Sequence, residues 1–282
     1  MSRLRLNKLA TPGTPAASKG ELFYSSTLSP AALAFIDEAG NVTRVAGSGS
    51  VKDYRLINSP DTSRTILNGT TTFTPSTGAS ALYVECVGGG GAGGGAASGT
   101  SGTNHGTGGG GGGGGWASKW ATTAVSGAHN SIAVGAGGTP GTAGGNAGGN
   151  GGDTTFTDNA AGAICVGKGG SGGASGVVQT TITIGYAGGA GGVAGTGDRS
   201  IPGQNGDYSL VLGITAANFC RSGFGGNAGM GYGAGAPAII ASAAGTAGSL
   251  YGGGGSGAVD FATTARQGGA GGNGIIRIWE YA

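Results

Sequence analysis

The sequence predicts an all-β protein whose larger part is a glycine-rich β domain with room for stacked segments of the polyproline II shape. Three observations carry this. Glycine accounts for 72 of the 282 residues, and almost all of it follows residue 87. The tract opens out of an apolar stretch, Ala81–Val87, and closes into another, Gly274–Tyr281. Inside it, short strand-like clusters recur at Ser131–Val134, Ala163–Val166, Val177–Ile184 and Ser209–Leu212. A flexible Gly/Ser linker has no need of such clusters. The tract therefore reads as a folded domain whose first and last strands lie near each other.

Glycine fills roughly a third of the chain from residue 88 on, as it does in collagen, but the strict Gly-X-Y period fails. The runs 88–91, 93–95, 108–115 and 252–255 leave no X and Y. Without a Cβ, backbones approach closely, and extended three-residue-per-turn helices of glycine can bond one another sideways because no side chains hold them apart. Each glycine costs about 0.5–1 kcal/mol more to order than alanine. Dense lateral bonding, the bounding strands and association of subunits are expected to offset that cost. Such a composition suits a rigid shaft or tip better than a reaction vessel.

Taken in order, residues 1–19 read as an extended docking arm. Pro12 and Pro15 exclude helix, and Leu4, Leu6 and Leu9 give the arm something to bury. Residues 20–60 read as a small β attachment domain. Glu21–Tyr24 is a strand, Ala32–Asp37 and Val42–Val45 flank a four-residue hairpin loop, and Tyr54–Ile57 is a further short strand candidate. A helix capped by Ser29 is the rival over 30–39, but it would put Asp37 and Glu38 at the wrong end of its dipole. Residues 61–69 read as a linker, and the final domain runs over 70–282, bounded by strands at 81–87 and 274–281. The pairs Asn150-Gly151, Asn205-Gly206 and Asn273-Gly274 read as tight turns.

Charged residues are only 9% of the chain and the net charge is +2, with no basic stripe for nucleic acid. No apolar run is long enough to span a membrane, and the basic N-terminus has no apolar stretch after it, so no secretory signal is expected. Three cysteines without a C-x-x-C spacing imply neither a disulfide framework nor a metal site; Cys86 and Cys165, within apolar runs, read as small hydrophobes.

A chain this rich in glycine matches glycine-based motifs by chance. Gly162–Gly169 resembles a phosphate loop but has glycine in place of the final hydroxyl residue and no helix-forming stretch after it. Gly169–Gly173 places Ser171 in G-x-S-x-G, again without the helix of a nucleophile elbow. His105 and His129 are the two histidines, and a surface position is the expectation for each. Gly148–Asp153 begins like a calcium-binding nonapeptide, but the site needs successive copies. No catalytic residue, metal site or cofactor is assigned.

The aromatics are the contact candidates. Trp116 and Trp120 share one face of a strand and either bury glycine backbone, the favoured reading, or form a platform for sugars or protein. Phe224, Tyr232 and Tyr251 lie among glycines, either as recognition residues on loop tips or as caps on the glycine layer.

Beyond these readings, Thr72–Gly95, Ala133–Gly138, Gly152–Phe156 and the closing segment through Trp279 together resemble the glycine-rich domains of bacteriophage tail fibres and related virion proteins, over about 70–282. Leu6–Ala17 and the 33–45 hairpin are similar to the N-terminal attachment region of phage structural proteins. The resemblance implies a virion component, commonly a homotrimer, made in the host cytoplasm. It would bind other virion proteins, of tail or capsid, through its N-terminus. Its glycine-rich part would face a host receptor, a glycan among the candidates. The sequence lacks the long shaft of many tail fibres. A short tail fibre or tip adhesin is the first expectation and a capsid decoration or head-fibre protein the alternative. A tail-associated polysaccharide depolymerase is a minor one.

Overall fold

The computed structural model describes residues 8–9, 21–25, 32–36, 42–44, 63–66, 69–75, 81–100, 103–121, 129–158, 162–213 and 219–281. The chain divides into two units, with the boundary after Tyr54. In the first, strands β1 (Lys8–Leu9), β2 (Glu21–Ser25), β3 (Ala32–Ile36) and β4 (Val42–Arg44) form one sheet in chain order. The expected hairpin is there, with Ala34, Phe35 and Ile36 opposite Arg44, Thr43 and Val42. Leu9 lies in β1, parallel to β2. Leu4, Leu6 and the strand expected at Tyr54–Ile57 lie outside the described residues.

The second unit begins as a two-sheet sandwich. One sheet has the order β15-β9-β7-β19-β5, made of Arg199–Ile201, Trp116–Ala121, Ala81–Val87, Ile275–Tyr281 and Ser63–Ile66. The two bounding strands pair antiparallel over their whole length, from Val87 opposite Ile275 to Ala81 opposite Tyr281. The stretch read as a linker, 61–69, instead supplies edge strand β5, whose Ile66 pairs with Ile276. The facing sheet has the order β12-β11-β10-β6, made of Gly162–Gly167, Thr154–Asp158, His129–Val134 and Gly69–Phe73. Alternation decides what goes inside. Leu82, Val84 and Cys86 of β7 meet Ile276 and Ile278 of β19, Ile132 of β10, Phe156 of β11 and Cys165 of β12 in one buried cluster. All three cysteines are free and buried.

From this sandwich the chain runs on as extended glycine helices. Segment 88–96 continues β7 without a break. Gly88, Gly91 and Gly94 donate to Gly115, Gly112 and Gly109; Gly89, Ala92 and Gly95 to Gly152, Gly149 and Asn146; Gly90, Gly93 and Ala96 to Gly272, Gly269 and Arg266, all at 2.8–3.0 Å. Each neighbour returns at every third residue, the symmetry of a three-residue-per-turn extended helix. The carbonyls of the same segment accept in rotation from 138–144, 170–176 and 252–258. Backbone thus surrounds it on every side. Segments 108–115 and 252–258 are enclosed in the same way, and these three are the buried runs of the tract. The remaining glycine segments (135–143, 146–152, 168–176, 185–193, 203–208, 222–229, 233–238, 244–250 and 266–273) form the rim around them.

This arrangement explains the spelling of the tract. An enclosed helix has almost no room for a Cβ, so 108–115 is unbroken glycine, and 88–96 and 252–258 admit only the small buried residues Ala92, Ala96, Ser256 and Ala258. A rim helix has an open side, so 168–176 carries Lys168, Ser171 and Ala174 there, every third residue. Consecutive glycine segments run out from the sandwich and back. The sharp return at 143–145 uses positive φ at Gly144 and Gly145, where L residues are disfavoured. Gly229–Gly231 forms a short 3-10 turn, and the described residues include no α-helix. None forms a helix long and apolar enough to cross a membrane.

Candidate functional site

At the end of the bundle remote from the sandwich, the described residues between the glycine helices are 97–100, 103–107, 143–145, 177–184, 209–213, 219–221, 239–243 and 259–265. Two small sheets give this apex its frame. In one, β8 (His105–Thr107) lies between β13 (Val178–Gln179) and β18 (Val259–Asp260). In the other, β16 (Leu210–Val211) lies between β14 (Thr183–Ile184) and β17 (Cys220–Arg221). The apolar run Val177–Ile184, expected as one strand, is therefore split between two sheets by a bend.

The base of the apex is fixed. Val211, Cys220 and Val259 form a small core with Ile239 and Phe261 packed on it. Burial pushes the Cys220 thiol up to about 11, with the Asp260 carboxylate adding to the effect. Asp260 is fully buried and ties several crossings together. It accepts from the Gly99 amide at 2.8 Å, the Ser242 hydroxyl at 2.7 Å and the Thr264 amide at 3.1 Å, and pairs with Arg266 at 3.6 Å. His105, expected at the surface, is also buried. Its Nε2 lies 2.9 Å from the Gly213 carbonyl oxygen and its ring stands edge-on to Phe261 at 5.6 Å. Asp260 and His105 Nε2 are thus spent on holding the loops, while Asn104 Oδ1 and His105 Nδ1 are buried without a hydrogen-bond partner.

What this base holds outward is apolar. Ile182, Ile184, Phe219 and Ile240 are 66%, 67%, 62% and 75% exposed, and Leu212 and Val177 are exposed beside them. These aliphatic and aromatic side chains, presented on loops by a rigid scaffold, are the candidate contact surface of the domain. The sequence reading did not single these residues out. The signal was present as Thr-Thr-Ile-Thr-Ile, which alternates as a half-buried strand does and so read as structure.

The aromatic candidates are scattered rather than gathered. Trp116 is not a surface residue. Only 4% exposed, it packs with Val87, Ala228 and Ile275 where sandwich meets bundle, because segment 228–232 folds back over that end of β9. Tyr232 and Tyr251 lie partly buried against the same cluster. The Tyr232 hydroxyl donates to the Glu85 carboxylate; burial, then that carboxylate, push the phenol well above its usual range. These two cap the junction. Trp120 stays accessible on the outer sheet face, edge-on to Tyr83 at 5.5 Å, beside a hollow of about 330 Å³ lined with Ser118, Asp198 and Arg199. Phe224 is exposed on the bundle flank, with the Arg221 guanidinium 5.2 Å from its ring.

The tempting motifs resolve into structure. Lys168 pairs with Asp153 at 2.7 Å, and Asp153 also accepts from the Gly169 amide. Ser171 sits on a rim helix, its amide bonded to the Ala190 carbonyl. The Asn-Gly pairs are not turns. Gly151, Gly206 and Gly274 lack positive φ, and the three asparagines accept from amides of neighbouring segments.

A family model described as a glycine-rich domain matches residues 65–281. No curated protein matches the chain.

Proposed function

The chain belongs to the glycine-rich domain family, and from that premise we propose that it is a structural and adhesive component of a bacteriophage particle. In this reading it is a short tail fibre or tip protein. The N-terminal unit, with Leu4, Leu6 and Leu9, attaches it to other virion proteins, and copies associate as a homotrimer. The glycine-rich domain projects to meet the host surface, and the apex leads. The observation that carries the reading is the set of exposed apolar side chains at Ile182, Ile184, Phe219 and Ile240, held by buried polar bonds at the free end of a bundle whose interior is mostly glycine backbone. A rigid bundle costs little further ordering when its tip binds, and preorganised tips bind better for that reason. The chemistry of the surface favours a receptor with apolar as well as polar faces.

The test is host adsorption by particles carrying Ile182→Asp, Phe219→Asp and Ile240→Asp. These positions face solvent, so assembly and incorporation of the protein should be unchanged while adsorption falls at least tenfold. Normal adsorption would refute the apex. Electron microscopy of labelled particles places the protein: label on the tail is expected, and label on capsid facets would move it to the decoration class.

A further inference from the structure

A glycine lattice contains nothing that says where it must stop. On its open side a rim helix turns N–H and C=O groups outward between the side chains it carries there at every third residue, and most of its residues are still glycine. A glycine helix of a second copy would fit there, as a strand fits an open sheet edge. The rim carries a device against this. In segment 168–176 the amides point in three directions in rotation. Gly170, Gly173 and Gly176 donate to Gly89, Ala92 and Gly95, and Ser171 and Ala174 donate to Ala190 and Ala187. The third direction, where the lattice has no further helix, ends on side chains. Gly169 donates to Asp153 Oδ1 and Gly172 to Asn150 Oδ1, both at 2.9 Å. The pattern recurs around the rim: Gly191 donates to Asn205 at 2.9 Å, Gly235 to Asn227 at 2.8 Å and Gly137 to Asn273 at 2.8 Å.

We propose that Asn150, Asp153, Asn205, Asn227 and Asn273 stand in for the missing next helix, and that the rim they close is a latent interface for the glycine helices of a second copy. Each side-chain carbonyl takes the place that a neighbouring backbone carbonyl has inside the bundle. Its bulk fills the notch between two rim helices where the next one would lie. The spelling Gly-Gly-Asn at Asn150, Asn227 and Asn273, and Gly-Gly-Asp at Asp153, follows, with two glycines for the packed sides and a short side-chain acceptor for the open one; at Asn205 the preceding pair is Gly203-Gln204. Copies then keep their glycine bundles apart, and whatever association they have runs through other surfaces.

The full-length chain carrying Asn150→Gly, Asn205→Gly and Asn227→Gly has open notches, free amides and residues that suit an extended glycine helix. Its mass by size exclusion with light scattering is expected to be at least twice that of the wild type and to rise with concentration. The matching Asn→Asp variant, which keeps the acceptor, is expected to track the wild type. A triple Gly variant that stays folded at wild-type mass overturns the proposal, as does an Asp variant that associates equally. Should the triple variant not fold, Asn150→Gly alone decides: wild-type mass at every concentration overturns the proposal in the same way.

Discussion

A methyl group added at Gly111 would sit 2.2 Å from the Gly91 carbonyl oxygen and 2.4 Å from its carbon. Neither can rotate away, because both belong to a backbone that is itself bonded on every side. Relief requires spreading the lattice, and overpacking of a rigid interior costs about 1–3 kcal/mol or more. Gly111→Ala is expected at or above the top of that range, read as a lowered denaturation midpoint with unchanged slope. On the open side of a rim helix, Ser171→Ala should stay within about 0.5 kcal/mol of the wild type. Equal losses at the two positions would contradict the lattice. The cysteines supply a second check at this scale. Burial raises the Cys86 thiol well above its usual range and holds Cys220 near 11, while the thiolate is the reactive form. An aromatic disulfide reagent at pH 8 should leave all three unmodified in the native protein and label them on unfolding. Rapid native labelling would refute this burial.

Within an element, the caps are the parts that can be tuned. Asn150→Ala removes one acceptor from an exposed amide and should cost about 0.5–1.5 kcal/mol, the net value of a hydrogen bond. At Asp153, burial pushes the carboxyl up, but the Lys168 hydrogen bond and the Gly169 amide outweigh it, so the group titrates below its ordinary value. A carboxyl depressed by folding stabilises above its unfolded pKa and loses that contribution as pH falls through the folded one. The melting temperature should therefore drop as acid is added below about pH 4. Asp153→Asn should flatten that drop, although the half-exposed pair is worth at most about 1 kcal/mol. A drop of the same size in the variant would show that Asp153 has no part in it. The elements themselves were legible to different degrees. The apolar stretch Ala81–Val87 and the charge argument at Asp37 and Glu38 were enough to place strands and a hairpin. The unbroken run 108–115 held the lattice rule in plain view, since only an enclosed helix needs glycine at every position. Asn150, Asn205 and Asn273 misled because Asn-Gly is a turn signal in isolation; their partners are amides of other segments, up to 136 residues away for Asn273 and Gly137. For Trp116 burial was the favoured of two readings, and its cover comes from Ala228 and Tyr232. His105 lost its expected exposure to loops brought together only by the finished bundle.

Across the whole molecule, sandwich and bundle have no seam between them. Strands β7, β10 and β12 run on into 88–96, 135–143 and 168–176, and 108–115, 146–152 and 266–273 run on into β9, β11 and β19. A glycine helix has no hydrogen bonds within itself, so each one depends on neighbours whose register the sandwich strands set. The glycine-rich domain should then open as one cooperative unit rather than as a stable base with a fraying top. Phe156 offers the decisive perturbation. It is fully buried in the sandwich, edge-on to Phe73 at 6.2 Å, and lies outside the glycine bundle. Phe156→Ala should cost about 3–5 kcal/mol. Amides in 88–96, 108–115 and 252–258 exchange only on opening of the lattice. Hydrogen exchange read by mass spectrometry should therefore show their protection falling by about two to four orders of magnitude, and by the same factor as β7 and β11. Faster exchange in the strands with unchanged protection of the glycine helices would mean that the bundle holds its register alone.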